Sequence, residues 1–255
     1  MTKSVRNFHL IDNKRIKKDF FLLELSSDLP LPNILPGQFV HVRVDESRET
    51  FLRRPFSVHD VDYKRNSLKL LIQIAGKGTS VLAEKKTGET ISLVCPLGNS
   101  FSLPESKDRT LLIGGGCGVA PLLFLAKYLK SHSRNFDILM GFRNKDRIIE
   151  YEEYRSLARV YIATEDGSEG EKGFVTQHSL FEQDKYSRIY CCGPDAMMKA
   201  VGKYAIRNQI HCEVSLENLM GCGFGVCLCC VVSTVDGNVC SCTEGPVFNI
   251  NRLKW

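Results

Sequence analysis

The apolar positions of this chain follow two rhythms. Over the first hundred residues they come in short runs: Phe20 to Leu25, Gln38 to Val44, Ser67 to Ile74 and Thr90 to Val94. Pro36-Gly37, Gly88 and Pro96-Leu97-Gly98 separate them. Short β-rich runs bounded by glycine and proline predict strands, and several at this spacing predict a small antiparallel barrel. Beyond residue 105 the rhythm becomes strand, helix, strand. Thr110 to Ile113 is an apolar run, and Ala120, Leu122, Leu123, Leu125, Ala126 and Leu129 then recur at helical spacing. Asp137 to Met140, Val160 to Ala163 and Arg188 to Cys192 are further strand candidates. The fold class expected is α+β multidomain: an antiparallel β-barrel over 1–104, a central α/β parallel-sheet nucleotide-binding domain over 105–211, and a cysteine-rich arm over 212–255.

The turns between these elements carry the candidate chemistry. Gly114-Gly115-Gly116-Cys117-Gly118 joins a strand to a helix, where glycine lets the backbone approach a phosphate. Pro121 fits the first helical turn. The pattern is not G-x-G-x-x-G, so a phosphate-binding βα turn is expected but not a standard Rossmann fingerprint. Other strands end at Gly141-Phe142-Arg143, at Thr164-Glu165-Asp166-Gly167-Ser168 and at Gly193-Pro194-Asp195. Open parallel sheets bind ligands at the carboxyl ends of their strands. In the first hundred residues, Arg54-Pro55-Phe56-Ser57 offers a phosphate partner, a stacking ring and a hydroxyl. The alternative is a rim arginine beside a core phenylalanine. Gly76-Lys77-Gly78-Thr79 precedes a helix start at Ser80-Val81-Leu82 and reads as an anion site or as a simple turn.

The sharpest signal lies near the end, in CGFGVCLCCVVSTVDGNVCSC. Cys222, Cys227 and Cys230 have the spacing C-x4-C-x2-C, which is the plant-type [2Fe–2S] spacing. A zinc site would more usually pair two CxxC units, and buried free cysteines would not need two glycines among them. Cys229 is expected to point away from its neighbours. Cys240 and Cys242 would share one side of an extended segment, so spacing leaves the fourth ligand open between them.

Charged residues make up 25% and apolar residues 43% of the 255, which is ordinary for a globular chain. The net charge of +5 is mild and the basic residues are scattered, which excludes a nucleic-acid footprint. No run approaches the roughly 20 apolar residues of a membrane span, and the first ten residues lack a signal-peptide core. Eleven cysteines in such a chain point to reduced, metal-binding thiols and to the cytoplasm.

In this order the motifs resemble the ferredoxin–NADP⁺ reductase superfamily, and within it the electron-transfer subunits of class 1B dihydroorotate dehydrogenase. LRRPFSV, GKGT, PLGNSF, GGGCGVAPL, TEDGS, KGFVT, CGPDAMM, SLENLMGCGFGVCLCC and C-x-x-GPVF carry the likeness along almost the whole chain. The resemblance implies FAD held by Arg54, Pro55, Phe56, Ser57, Ile72, Gln73, Ile74, Gly78 and Thr79. It implies NAD at Gly115, Gly116, Gly118, Cys192, Gly193 and Pro194. It implies a [2Fe–2S] cluster on Cys222, Cys227, Cys230 and Cys242, the last chosen because the family ligand stands three residues before the GPVF glycine, here Gly245. Gln73, Cys95 and Cys117 depart from the residues more usual in the family. The implied function is to carry electrons from a catalytic FMN-containing partner, which oxidises dihydroorotate, through the cluster and FAD to NAD⁺ in pyrimidine (UMP) biosynthesis. The implied assembly is a heterotetramer of two of each chain. The alternatives are an NAD(P)H:ferredoxin-type reductase subunit feeding a different partner, and a non-enzymatic redox-sensing cluster protein.

Overall fold

The computed structural model describes residues 3–44, 49–183 and 185–255. The barrel strands are β1 (Ser4–Lys17), β2 (Phe20–Ser26), β3 (Phe39–Val42), β4 (Arg54–Ser57), β5 (Asp60–Asp62), β6 (Ser67–Gln73) and β7 (Thr90–Leu97), with helix α1 (Lys77–Ala83) between the last two. They form one antiparallel sheet in the order β4-β3-β7-β1-β2-β6-β5, a half-barrel with β4 and β5 at its edges. Alternation fills it: Phe8, Leu10, Phe21, Leu23, Leu25, Val40, Val42, Leu68, Leu70, Ile72, Ile91 and Leu93 all point to one core. Two strands differ from the sequence expectation. The long β1 was not anticipated, because in SVRNFHLIDNKRIK only Phe8 and Leu10 are buried. Arg54 to Ser57 was expected to lead into a strand and is itself the strand β4.

The second sheet contains β8 (Thr110–Gly115), β9 (Phe136–Phe142), β10 (Arg159–Thr164), β11 (Glu171–Lys172), β12 (Arg188–Cys192) and β13 (His211–Ser215). These strands run parallel in the order β11-β10-β9-β8-β12-β13. All six residues of β8 are buried, as expected of a parallel strand covered on both faces. Leu112 faces helix α2 (Ala120–Ser131), packing with Leu122, Leu125 and Leu129. Leu111 and Ile113 face the other way, toward Met198, Val201 and Ala205 of a second long helix. That helix spans Asp195–Arg207; between the two long helices lie the short ones α3 (Tyr151–Arg155) and α4 (Leu180–Gln183), so it is α5.

The halves share their cores. Phe20, Leu71 and Phe101 from the barrel side pack into the α2 core, and Phe124 of α2 packs into the barrel. Burying a side chain of this size stabilises by about 1.5–3 kcal/mol. His59, fully buried, joins the halves through polar contacts: its Nδ1 lies 2.7 Å from the Ala120 carbonyl and its Nε2 lies 2.7 Å from Glu150.

The last forty residues leave β13, wrap into a cysteine loop, and form the two-stranded ribbon β14 (Val231–Thr234) and β15 (Gly237–Cys240). A single turn, α6 (Ser241–Glu244), leads to β16 (Val247–Asn249), which returns to the second sheet antiparallel to β13. The arm is fastened to the barrel rim by Asn99, whose backbone N–H donates to the Gly245 carbonyl and whose side chain donates to the Glu244 carbonyl. Among the described residues, no helix is long and apolar enough to cross a membrane.

Candidate cofactor and cluster sites

The glycine turn after β8 and the Gly193-Pro194 turn after β12 are neighbours, because β8 and β12 pair directly. Their approach is so close that a Cβ on Gly118 would lie 2.4 Å from the Cys192 carbonyl oxygen. Only glycine fits there. These turns line one side of a cavity of about 630 Å³, together with Phe142, Arg143 and Glu165 from the neighbouring strand ends. That volume suits a cofactor. Gly115, Gly116, Gly118, Gly193 and Pro194 line it, while Cys192 lies wholly buried behind the wall. The barrel closes the other side with Phe20 and Gln73.

Among the lining residues with no role assigned from the sequence are Phe20, Phe174 and Glu217. Glu217 is open to the cavity yet ringed by protein, and that burial pushes its carboxyl above the ordinary value. The Cys192 thiol points at its Oε1 from 3.8 Å. Glu217 lay inside the quoted SLEN motif, so the signal was present, but only folding joins it to Cys192. Cys117 also lines the cavity, as does Gln73 from the barrel.

On the barrel, β4 brings Arg54 over the first turn of α1: a Cβ on Gly78 would lie 3.2 Å from Arg54 Nε. One guanidinium nitrogen donates to the Leu52 carbonyl at 2.6 Å. Arg54, Pro55, Phe56 and Ser57 are all half-buried, which leaves part of each side chain to face a ligand. The Thr79 hydroxyl takes N–H bonds from Ala75 and Gly76, closing the turn before the helix. Ile72 turns its side chain into the barrel core and has only its backbone to offer.

The cysteine loop is built by positive backbone angles at Gly223 (φ 78°) and Gly225 (φ 81°). They aim N–H groups inward: Phe224 and Cys227 donate to the Cys222 sulfur at 3.3 and 3.5 Å, and Gly225 donates to the Cys242 sulfur at 3.1 Å. Two pairs result. The Cys222 N–H reaches the Cys227 sulfur at 3.4 Å, and the Cys242 N–H reaches the Cys230 sulfur at 3.4 Å. Among the described residues, no three His, Cys, Asp or Glu side chains converge as one metal ion would require. Two pairs of sulfurs suit two irons, each taking two thiolates, better than one tetrahedral zinc. Cys229 is exposed and its thiol points out to the Leu219 carbonyl. Cys240 is buried near Cys230, but its thiol donates to the Gly225 carbonyl at 3.8 Å. A thiolate accepts hydrogen bonds, so Cys242 has the surroundings of a ligand and Cys240 those of a thiol. The loop rests on the outer face of β3, where Gly223 touches His41, and of β7, where it touches Leu97.

Comparison with known proteins matches each third of the chain. Residues 7–101 match the oxidoreductase FAD-binding domain, 112–203 the oxidoreductase NAD-binding domain, and 217–254 the iron-sulfur cluster binding domain of dihydroorotate dehydrogenase B. Relatives named dihydroorotate dehydrogenase B (NAD(+)), electron transfer subunit, include one from Shouchella clausii, 34% identical and covering 99% of both chains. Another, from a Geobacillus strain, is 38% identical over 96% of each. A solved NADH-dependent reduced ferredoxin-NADP oxidoreductase, described for flavin-based electron bifurcation, superposes with a TM-score of 0.88 at 31% identity, covering 97% of this chain and 90% of that one. A ferredoxin reductase of carbazole 1,9a-dioxygenase, at 22% identity and TM-score 0.68 over 83% of this chain and 69% of that one, shares the fold. On full-length likeness and on all three matched domains, the chain belongs to the family of dihydroorotate dehydrogenase B electron transfer subunits.

Proposed function

We propose that this chain is the electron-transfer subunit of an NAD⁺-linked dihydroorotate dehydrogenase, working in the cytoplasm in a complex of two copies beside two FMN-containing catalytic subunits. Its divisions are the FAD barrel over 1–104, the NAD domain over 105–211 and the cluster arm over 212–255. Arg54 neutralises the FAD pyrophosphate, Phe56 and Ser57 meet its ring system, and the backbone of residues 72–74 with Gly78 and Thr79 completes that site. The Gly115, Gly116 and Gly118 turn and the Cys192-Gly193-Pro194 turn hold NAD, with Glu217 at its inner end and Cys192 buried behind it. Cys222, Cys227, Cys230 and Cys242 hold the cluster. When bound, the cluster supplies one-electron transfer, the flavin converts single electrons to pairs, and the nicotinamide takes a pair as hydride.

The observation that carries this reading is spatial order. The cysteine loop rests on β3, β3 pairs with β4, and the cavity opens where Gln73 of β6 meets the glycine turn. The residues proposed for cluster, flavin and nicotinamide thus lie next to one another in the order in which electrons would pass. The exposed apolar residues Leu219, Phe224, Val226 and Leu228 on the loop suit a partner surface beside the cluster. Purification of the chain with its native companions tests the proposal: the complex carries both FAD and FMN. A companion without FMN would refute it. The likeness to the ferredoxin-NADP oxidoreductase favours the second reading, a reductase subunit with a different partner, and that companion would be its sign.

A further inference from the structure

We infer that His41 is a positioning residue for the iron–sulfur cluster: its ring N–H donates a hydrogen bond to a sulfur of the cluster or of its cysteine ligands and thereby tunes the reduction potential. The inference rests on the cluster reading above and adds a residue outside the cysteine motif.

Strand alternation sets the geometry. Val40 and Val42 point into the barrel, so Phe39 and His41 point out of it, toward the arm. Phe39 packs in one cluster with Cys230, Cys240 and Cys242. The His41 ring stands edge-on to Phe39, with centroids 5.7 Å apart and planes at 64°. A Cβ built on Gly223 would lie 3.0 Å from His41 Nδ1 and 3.1 Å from Cε1, so the ring abuts the cysteine loop. His41 is 0% exposed, and neither ring nitrogen has a hydrogen-bond partner among the described residues. Arg53 reaches the His41 main-chain carbonyl, not the ring.

An imidazole carries at least one N–H in every protonation state that matters here. Burying it without an acceptor is costly, and buried polar groups are rarely left so. Such a ring calls for an acceptor, and the side of the arm, where the sulfurs of the cluster would lie, is where it abuts the loop. Hydrogen bonds to cluster sulfurs favour the more negative, reduced state and raise the potential. His41 also faces Pro55 across the β3–β4 pairing, so its backbone is continuous with the strand proposed to hold the flavin.

The test uses the full chain carrying its cluster. His41→Phe keeps an aromatic ring of similar size and removes the donor; His41→Gln restores an N–H. Iron content, EPR of the reduced cluster and a redox titration are read for each. His41→Phe is expected to retain iron, to shift the EPR lines and to move the midpoint potential downward, with His41→Gln recovering part of the shift. Pulsed EPR of the reduced, ¹⁵N-histidine-labelled chain is expected to show a weak nitrogen coupling that His41→Phe abolishes. A His41→Phe protein with unchanged EPR lines and potential would overturn the inference. If that variant loses its iron, the coupling in the unsubstituted chain decides: present, it supports the bond; absent, it refutes it. An unsubstituted chain with no reduced-state signal would instead strike at the cluster reading itself.

Discussion

Sulfurs that accept N–H bonds and sulfurs that donate to carbonyls are prepared for different tasks, and Cys242 and Cys240 differ in that way. Their spacing alone left the fourth ligand open, since in an extended segment both would lie on one side. Cys240→Ser and Cys229→Ser are expected to keep full iron content and the EPR signal of the reduced chain, while Cys242→Ser loses both. Retention in Cys242→Ser with loss in Cys240→Ser would reverse the assignment. Arg54 makes a second prediction. It lies over Gly78, away from the cysteine loop, so Arg54→Ala should release FAD while leaving iron nearly unchanged. Normal flavin occupancy in purified Arg54→Ala protein would remove Arg54 from the site. The candidate cysteine ligands and Arg54 were picked out because their motifs are short and contiguous in the sequence. Glu217 and His41 were not, because the partners of each come together only in the folded chain.

At the scale of elements, apolar runs announced the buried strands and failed where a strand lies mostly at the surface. In β1 only two of fourteen side chains are buried, and its place is fixed by pairing with β2 and β7 rather than by its own pattern. The loop after β10 shows a further difference. Glu165 and Asp166 together would repel a second phosphate, but Asp166 spends its carboxylate on the N–H and hydroxyl of Ser168 within its own turn. Glu165 alone of the two lines the cavity. Arg147, a possible phosphate partner on the loop after β9, is paired to Asp19 of the barrel. Arg143 and Arg147 both line the cavity, and Arg143 opposes the effect. One partly solvated like-charge pair is worth about 1 kcal/mol, or about fivefold in binding. With Arg143 offsetting part of the repulsion, NADH should exceed NADPH in kcat/KM by at most about that factor in dye reduction, and Glu165→Gln should narrow the gap. Equal or better use of NADPH by the unsubstituted chain would shift attention to Arg143.

At the scale of the whole molecule, two sheets and one arm meet so that three candidate sites adjoin. The two-domain rhythm was legible because strand and helix periods differ sharply. What it did not reveal is how the arm returns: β16 extends the second sheet while Asn99 clamps Gly245 to the barrel rim, so the arm touches both halves. Such a frame holds the cluster loop beside the barrel without further chain, and leaves its apolar tip outward for a partner. The most direct measurement is reconstitution. The chain, loaded with FAD and iron, is mixed with the FMN-containing subunit from the same cell and given dihydroorotate and NAD⁺ without oxygen. The account predicts that NADH and orotate form in equal amounts, that neither subunit alone makes NADH, and that Cys230→Ser abolishes NADH formation. Oxidation of dihydroorotate by the partner with no NADH formed in the presence of the loaded chain would contradict it.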